Sequence, residues 1–227
     1  MESVLDRVIK QNTENVNLLK TKDYNIFSVL QIQSKEVLIC RMIADLLNPR
    51  GQHGAGAEYL KIFLRDCLGM EKMDTKLADQ AIVTAEYAID DERRIDIVIE
   101  IGSYFLPIEV KIYAADQKSQ CFDYYQYAKR RDAQAKVYYL TLDGHRPGKD
   151  STSSGSQSVP EEDIVCLSFR EHILNWLKAC KNCENTGMIP ILEQFIRNIE
   201  QISGYTSERV RNMVIDELLT SGDSLRA

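Results

Sequence analysis

The chain has 227 residues, 44% of them hydrophobic and 27% charged. That is long enough to bury a sizeable core, and the mixture is that of a globular domain rather than a disordered or fibrous chain. The formal net charge of −6 excludes a protein that coats polyanions through a broadly basic surface. It leaves room for a nucleic-acid enzyme whose positive field is local or carried by a metal ion.

No apolar run approaches the ~18 residues of a membrane span, and residues 1–20 lack the apolar centre of a secretory signal. The expected location is cytoplasmic, with no membrane partner. Six cysteines, Cys40, Cys67, Cys121, Cys166, Cys180 and Cys183, sit among core-type residues and are expected to be reduced thiols. Cys180 and Cys183 have CxxC spacing, but no second pair stands at zinc-site spacing. The pair reads as a chance match at a helix end.

In chain order, residues 1–20 carry an apolar stripe at helical spacing, Val4, Leu5, Val8, Ile9, Val16 and Leu19. A short segment follows at 25–34. Ser34 precedes a stronger helix at 35–47, with a stripe of Val37, Ile39 or Cys40, Ile43, Ala44 and Leu47, stopped by Asn48-Pro49. The glycine-dense stretch 50–56 lacks the Lys-Ser/Thr of a phosphate loop and follows no strand, so it reads as a tight interhelical turn. Its His53 is expected to hydrogen-bond its own loop. A helix at 57–67 closes on Gly69. Strands are predicted at 81–89, 136–142 and 164–169, and helices at 116–131, 169–181, 189–202 and 206–220. The Ser/Gly/Pro-rich stretch 145–160 reads as a mobile loop.

Between the first predicted strand and the 116–131 helix lies the stretch on which the functional reading rests. Residues 93–112, RRIDIVIEIGSYFLPIEVKI, are two alternating runs joined at Gly102-Ser103, the pattern of a hairpin with a II′ turn. Pairing outward from that turn sets Ile101 against Tyr104, Val98 against Pro107 and Asp96 against Glu109. Ile95, Ile97, Ile99, Ile108, Val110 and Ile112 fall on one face; Asp96, Glu100, Glu109 and Lys111 fall on the other. Opposed like charges destabilise a strand pair, and a divalent cation between them is a reason for both to be there.

Asp96, Glu109 and Lys111 form D-(x)12-E-x-K. Two carboxylates supply hard oxygen ligands for Mg²⁺. A lysine two residues on shares the strand face and is placed to hold or deprotonate a water or to stabilise a phosphorane-like transition state. Gln120 and Tyr124, at i and i+4, share a face of the following helix. Lys129, Arg130 and Arg131 form a basic step at its end, to which Arg41 and Lys118 add as a candidate phosphate-backbone patch. Glu86 and Glu100 are acids on strands; Glu100 falls toward the turn, away from Lys111.

The chain resembles the PD-(D/E)XK nuclease superfamily, most closely a bacterial and prophage branch with a Q-x-x-x-Y element. The first block of the resemblance is Glu36, Ala44, Leu46-Leu47, Pro49, Gly51, His53-Gly54 and Gly56. The second is Asp96, then Glu109-Val110-Lys111-Ile112, Ala114, Asp116-Gln117, Gln120 and Tyr124. The chain departs from it at Ile39-Cys40, where the branch carries a His-Ser pair, and at Ile95, which stands in place of proline.

The resemblance implies an α/β fold with a restriction-endonuclease-like α-β-β-β-α-β core, its mixed sheet flanked by helices. The expectation is one domain over 1–227, with a core at about 25–169 and extra C-terminal helices at about 170–227. It implies Mg²⁺ or Mn²⁺ held by Asp96, Glu109, the Val110 carbonyl and, through water, Glu36. Lys111 would be the catalytic lysine, with Gln120 and Tyr124 holding site and nucleic acid. The expected activity is metal-dependent hydrolysis of DNA phosphodiesters. The competing reading is a nuclease-fold module without turnover that binds nucleic acid or a protein partner.

Overall fold

Apolar alternation and helical stripes resolve into two layers of helix around one sheet. The computed structural model describes residues 24–71, 73–183 and 185–204; the helices expected at 1–20 and 206–220 lie outside them. Helix α1 (Glu36–Leu47) and helix α2 (Glu58–Asp66) precede strands β1 (Ile82–Ala88), β2 (Arg94–Ile101) and β3 (Tyr104–Lys111). Helix α3 (Gln120–Arg131), strands β4 (Val137–Thr141) and β5 (Ile164–Ser168), and helices α4 (Leu174–Cys180) and α5 (Ile189–Ile202) follow.

The sheet has the order β1-β2-β3-β4-β5. Its first three strands are antiparallel and the pairs β3/β4 and β4/β5 parallel, so the expected α-β-β-β-α-β core is present. No helix among the described residues is long and apolar enough to cross a membrane.

Both faces of the sheet are covered, which is why β3 is buried along nearly its whole length. On one face Ile97, Ile99, Ile108, Val110 and Leu140 pack with α1, α2, α4 and α5. Trp176 of α4, fully buried, donates its indole N–H to the Tyr59 carbonyl of α2 at 2.8 Å. On the other face Val98, Phe105, Val137 and Tyr139 pack with Cys121, Tyr124 and Ala128 of α3.

Helix α1 starts one residue later than expected. Lys35, not Ser34, is its N-cap and makes no side-chain cap bond; Glu36 is the acid of its first turn, where it complements the helix dipole. Val37, expected in the stripe, is exposed, and Leu46 is buried in its stead. Helix α3 is shorter than the expected 116–131, because Ser119 adopts a left-handed conformation (φ +57°) just before it.

The hairpin pairs as its sequence predicts from Ile101–Tyr104 through Val98–Pro107 to Ile97–Ile108. Positive φ at Gly102 alone of the two turn residues matches a II′ turn. The ladder stops at Asp96. The next bonded rung of an antiparallel pair would give the Val110 N–H to β2 backbone; Val110 instead donates to Asp96 Oδ2 at 2.7 Å. On the other side of Asp96, β1 and β2 pair at Ala85–Ile97 and Tyr87–Ile95 with no pair between. The residue left between, Glu86, has φ +54°, a left-handed conformation costly for a side-chain-bearing residue.

This interruption corrects the expected face of Ile95. It joins the α3-side cluster with Tyr87, while Ile97 and Ala85 stay on the α1 side. The left-handed residue turns both strands over, so strict alternation does not carry through it.

The stretch 145–160, expected as a mobile loop, is built. It holds a helical turn (Lys149–Thr152) and two-residue strands Ser153–Ser154 and Gln157–Ser158. Val159 packs with Phe122 and Ile164 in a small third cluster. Ser151 is fully buried, and its hydroxyl receives the Cys121 amide at 3.3 Å. Polar composition predicted exposure, but the Ser151 hydroxyl serves as a backbone partner for the start of α3.

Candidate active site

The end of β3, the interrupted middle of β2 and the starts of α1 and α3 converge. Glu109 is 1% exposed and Lys111 7%. Lys111 Nζ lies 2.5 Å from Glu109 Oε1. The two form a close, buried ion pair, and Glu109 Oε2 has no hydrogen-bond donor among the described residues. The Asp96 carboxyl is close enough to that of Glu109 for each to perturb the other.

Burial pushes the Glu109 carboxyl well above the usual carboxylate range, the neighbouring Asp96 adds to this, and Lys111 opposes it. Burial also raises Asp96, against the opposing pull of the Val110 amide. For Lys111, burial disfavours the charged form, but Glu109, Asp96 and Glu36 together outweigh it and hold the group above its ordinary value. Lys111 is therefore an ammonium, suited to stabilising negative charge rather than to taking a proton.

Glu36 reaches this cluster from α1: its Oε2 accepts the Ile112 amide at 2.8 Å, tying the helix start to the residue after Lys111. Cys40, one turn further along α1, is buried, and its thiol is raised by burial and then by Asp96, Glu36 and Glu109. It occupies the position where the sequence departs from the resembled branch.

Among the described residues no set of three or more His, Cys, Asp or Glu side chains is disposed to hold a metal ion, so Glu36 does not complete a three-carboxylate set. Two carboxylates still fit Mg²⁺, which keeps several of its waters and commonly takes one or two protein carboxylates. The buried Glu109 Oε2, without a donor among the described residues, is the feature that such an ion would satisfy.

Gln120 and Tyr124 are both buried. Gln120 Nε2 donates to the Tyr124 hydroxyl at 3.0 Å, and that hydroxyl donates to the Arg94 carbonyl at 2.5 Å. This chain fastens α3 to β2 two residues before Asp96. It gives the pair a positioning place within the fold rather than an exposed face for nucleic acid.

The basic step is displaced from where the sequence suggested. Helix α3 begins at the carboxylates, so Arg130, ten residues on, lies about 15 Å further along its axis. Lys129 pairs with Asp163 at 3.1 Å and sits over the Tyr125 ring. Arg131 pairs with Glu100 at 2.6 Å and lies over Phe105, near the start of β3. Arg41 is likewise held, by Glu86 at 2.6 Å. Replacing Arg131 with Ala is expected to cost about 1 kcal/mol in a urea melt and to leave KM for nucleic acid within twofold. A several-fold rise in KM would restore the patch to the substrate surface.

Two residues outside the predicted set fix the loops beside the carboxylates. Arg93 donates to Asp123 (3.1 Å), Gln117 (2.8 Å) and the Lys118 carbonyl (2.6 Å), clamping the turn that precedes α3. Asp116 accepts the Tyr139 hydroxyl and the Gly148 amide, each at 2.7 Å, joining the loops after β3 and β4. Asp116 was visible in the resembled motif but carried no assigned role; nothing in the local sequence marked Arg93.

His53 is structural, as expected. Nδ1 accepts the Ala55 amide at 3.0 Å, so Nε2 carries the proton and donates to the Asn48 carbonyl at 2.9 Å. Glu100 lies at the Arg131 pair, away from Lys111. All six cysteines are free thiols.

A family comparison matches residues 24–197 to the PD-(D/E)XK nuclease superfamily. The chain belongs to that superfamily. No curated protein and no solved structure matches it. Asp96 on β2 and Glu109-Val110-Lys111 on β3 carry the residue types of that superfamily's strand aspartate and E-x-K. The interrupted ladder falls at Asp96, whose carboxylate takes the Val110 amide in place of a backbone partner. Membership makes the protein a nuclease-family hydrolase with the restriction-endonuclease-like fold and a nucleic-acid substrate.

Proposed function

We propose that the protein is a Mg²⁺- or Mn²⁺-dependent deoxyribonuclease that acts as a single domain in the cytoplasm and hydrolyses DNA phosphodiesters. The observation that carries this is the buried Glu109 carboxyl beside Asp96, with Lys111 paired to it. A buried acid beside a second, half-buried one is a poor choice for stability alone.

Asp96 and Glu109, with the Val110 carbonyl, would hold the ion, and Glu36 would reach it through water. When bound, the ion supplies charge neutralisation at phosphorus and a water of lowered pKa. Asp96 is fixed for this by the Val110 amide, and Glu36 by Ile112. Lys111, held as an ammonium, places its charge where negative charge gathers on the phosphoryl oxygens in the transition state. The Gln120–Tyr124–Arg94 chain keeps α3 against β2, so that the carboxylates hold their separation.

The test is cleavage of single-stranded and duplex DNA with Mg²⁺, with Mn²⁺ and with EDTA. Cleavage is expected with either cation and none with EDTA. Absence of cleavage on every substrate, together with calorimetry showing no Asp96-dependent cation binding, would instead favour the non-catalytic binding module.

A further inference from the structure

A second polar arrangement stands at the same edge of the sheet. β3 and β4 are parallel neighbours, with Glu109 opposite Tyr139 and Lys111 opposite Thr141. Their following loops therefore leave from one edge, the carboxyl ends of the strands, where open α/β sheets take ligands.

In the loop after β4, Asp143 Oδ1 accepts the His145 amide at 3.2 Å and lies 2.6 Å from His145 Nδ1. An ionised carboxylate only accepts, so Nδ1 carries the proton and Nε2 is the open nitrogen. The ring stands edge-on to Tyr139, centroids 6.2 Å apart, and Tyr139 in turn donates to Asp116. The His145 side chain is 61% exposed. The turn itself is held by Asp143, the His145 amide, and the Thr141 hydroxyl accepting the Gly144 amide. Nε2 has no structural task among the described residues.

We propose that His145, oriented by Asp143, is a further substrate-contacting residue, its Nε2 meeting a backbone phosphate on the β4 side of Asp96 and Glu109. This rests on the nuclease reading above. One interstrand spacing of ~4.8 Å separates Glu109 from Tyr139, and the His145 ring is centred 6.2 Å from the Tyr139 ring. His145 therefore packs on the residue beside Glu109 rather than on Glu109 itself, which suits a flanking phosphate, so the residue acts on affinity rather than on chemistry. In the imidazolium form the ring lies between two anions, Asp143 and the phosphate, with both N–H groups used in charge-assisted bonds. The charged or titratable groups around it are Asp143, Arg146 and Lys149 on its own loop, and Tyr139 and Asp116 beneath it.

The experiment is steady-state cleavage of a DNA oligonucleotide with Mg²⁺ by the full chain and by His145→Gln, at about pH 6 and about pH 9. At the lower pH the variant is expected to show KM raised about tenfold, kcat within twofold and an unchanged Tm. The KM gap should close at the higher pH, where a phosphate contact that needs an imidazolium is lost. Equal KM values at the lower pH, a loss in kcat with KM unchanged, or a gap that persists at the higher pH would overturn the assignment while leaving the nuclease reading intact. A wild type that cleaves no nucleic acid would overturn both.

Discussion

Lys111→Met is expected to lower the cleavage rate roughly 10³-fold, the scale of removing a preorganised charge or proton-transfer group from a transition state. KM should change much less, because the ammonium lies beside Glu109, 7% exposed, and does not offer a surface contact. The same substitution has a pH-dependent effect on stability.

Glu109 has a folded-state pKa raised above its ordinary 4.5 by burial and by Asp96, with Lys111 pulling the other way. A carboxyl raised on folding adds stability below its unfolded value, and that stability is lost as pH rises through the folded value. Without Lys111 the folded value rises further. With EDTA present, the variant should melt nearest to wild type at about pH 5 and fall behind toward pH 8. The deficit can grow by at most ~1.4 kcal/mol per pH unit. A constant deficit across that range would mean that Glu109 and Lys111 are not coupled as the 2.5 Å contact implies.

Gly51→Ala should be the most damaging single methyl added to the chain's glycine-dense turn. A Cβ there would lie 2.2 Å from the Asp45 carbonyl oxygen and 2.6 Å from the His53 ring. The first neighbour is backbone in the last turn of α1 and cannot swing aside. His53 stacks on Tyr59 with centroids 4.8 Å apart, and the Tyr59 carbonyl receives the Trp176 indole, so a displaced ring disturbs the contact of α2 with α4. The expected loss is about 3 kcal/mol or more, at the upper end of overpacking penalties. Gly54→Ala is the contrasting variant: its φ of +70° is unfavourable for alanine, but the nearest atom stands 4.0 Å away. It should cost only ~1–2 kcal/mol. Equal losses in chemical denaturation would show that conformation, not crowding, governs this turn.

These two sites also mark how far the sequence could be read. The hairpin register followed from period-2 alternation and from one glycine in the turn, both local properties. The E-x-K strand and the helix carrying Gln120 and Tyr124 followed from motif and spacing. The turn at 50–56 followed from the absence of any strand or lysine that would make it a phosphate cradle.

What failed was long-range. The face of Ile95 depends on the left-handed Glu86 on another strand, and no alternation pattern encodes a neighbour's twist. The basic step looked adjacent to the site because its helix is; only the direction of α3 shows that its charges gather at the far end. The order within 145–160 arises from Ser151, Val159 and the Gly148 amide finding partners on α3, β5 and Asp116, and composition is silent about partners.

Asp116 joins the two loops at the carboxyl ends of β3 and β4. Those loops border the carboxylates and carry Lys118 and His145. The conformational entropy of ordering them is thus lost when the chain folds, not when nucleic acid arrives. A substrate strand then meets a preorganised rim, and more of its contact energy is free to appear as affinity. Association should accordingly show one kinetic phase, with its rate proportional to substrate concentration and no plateau from a closing step.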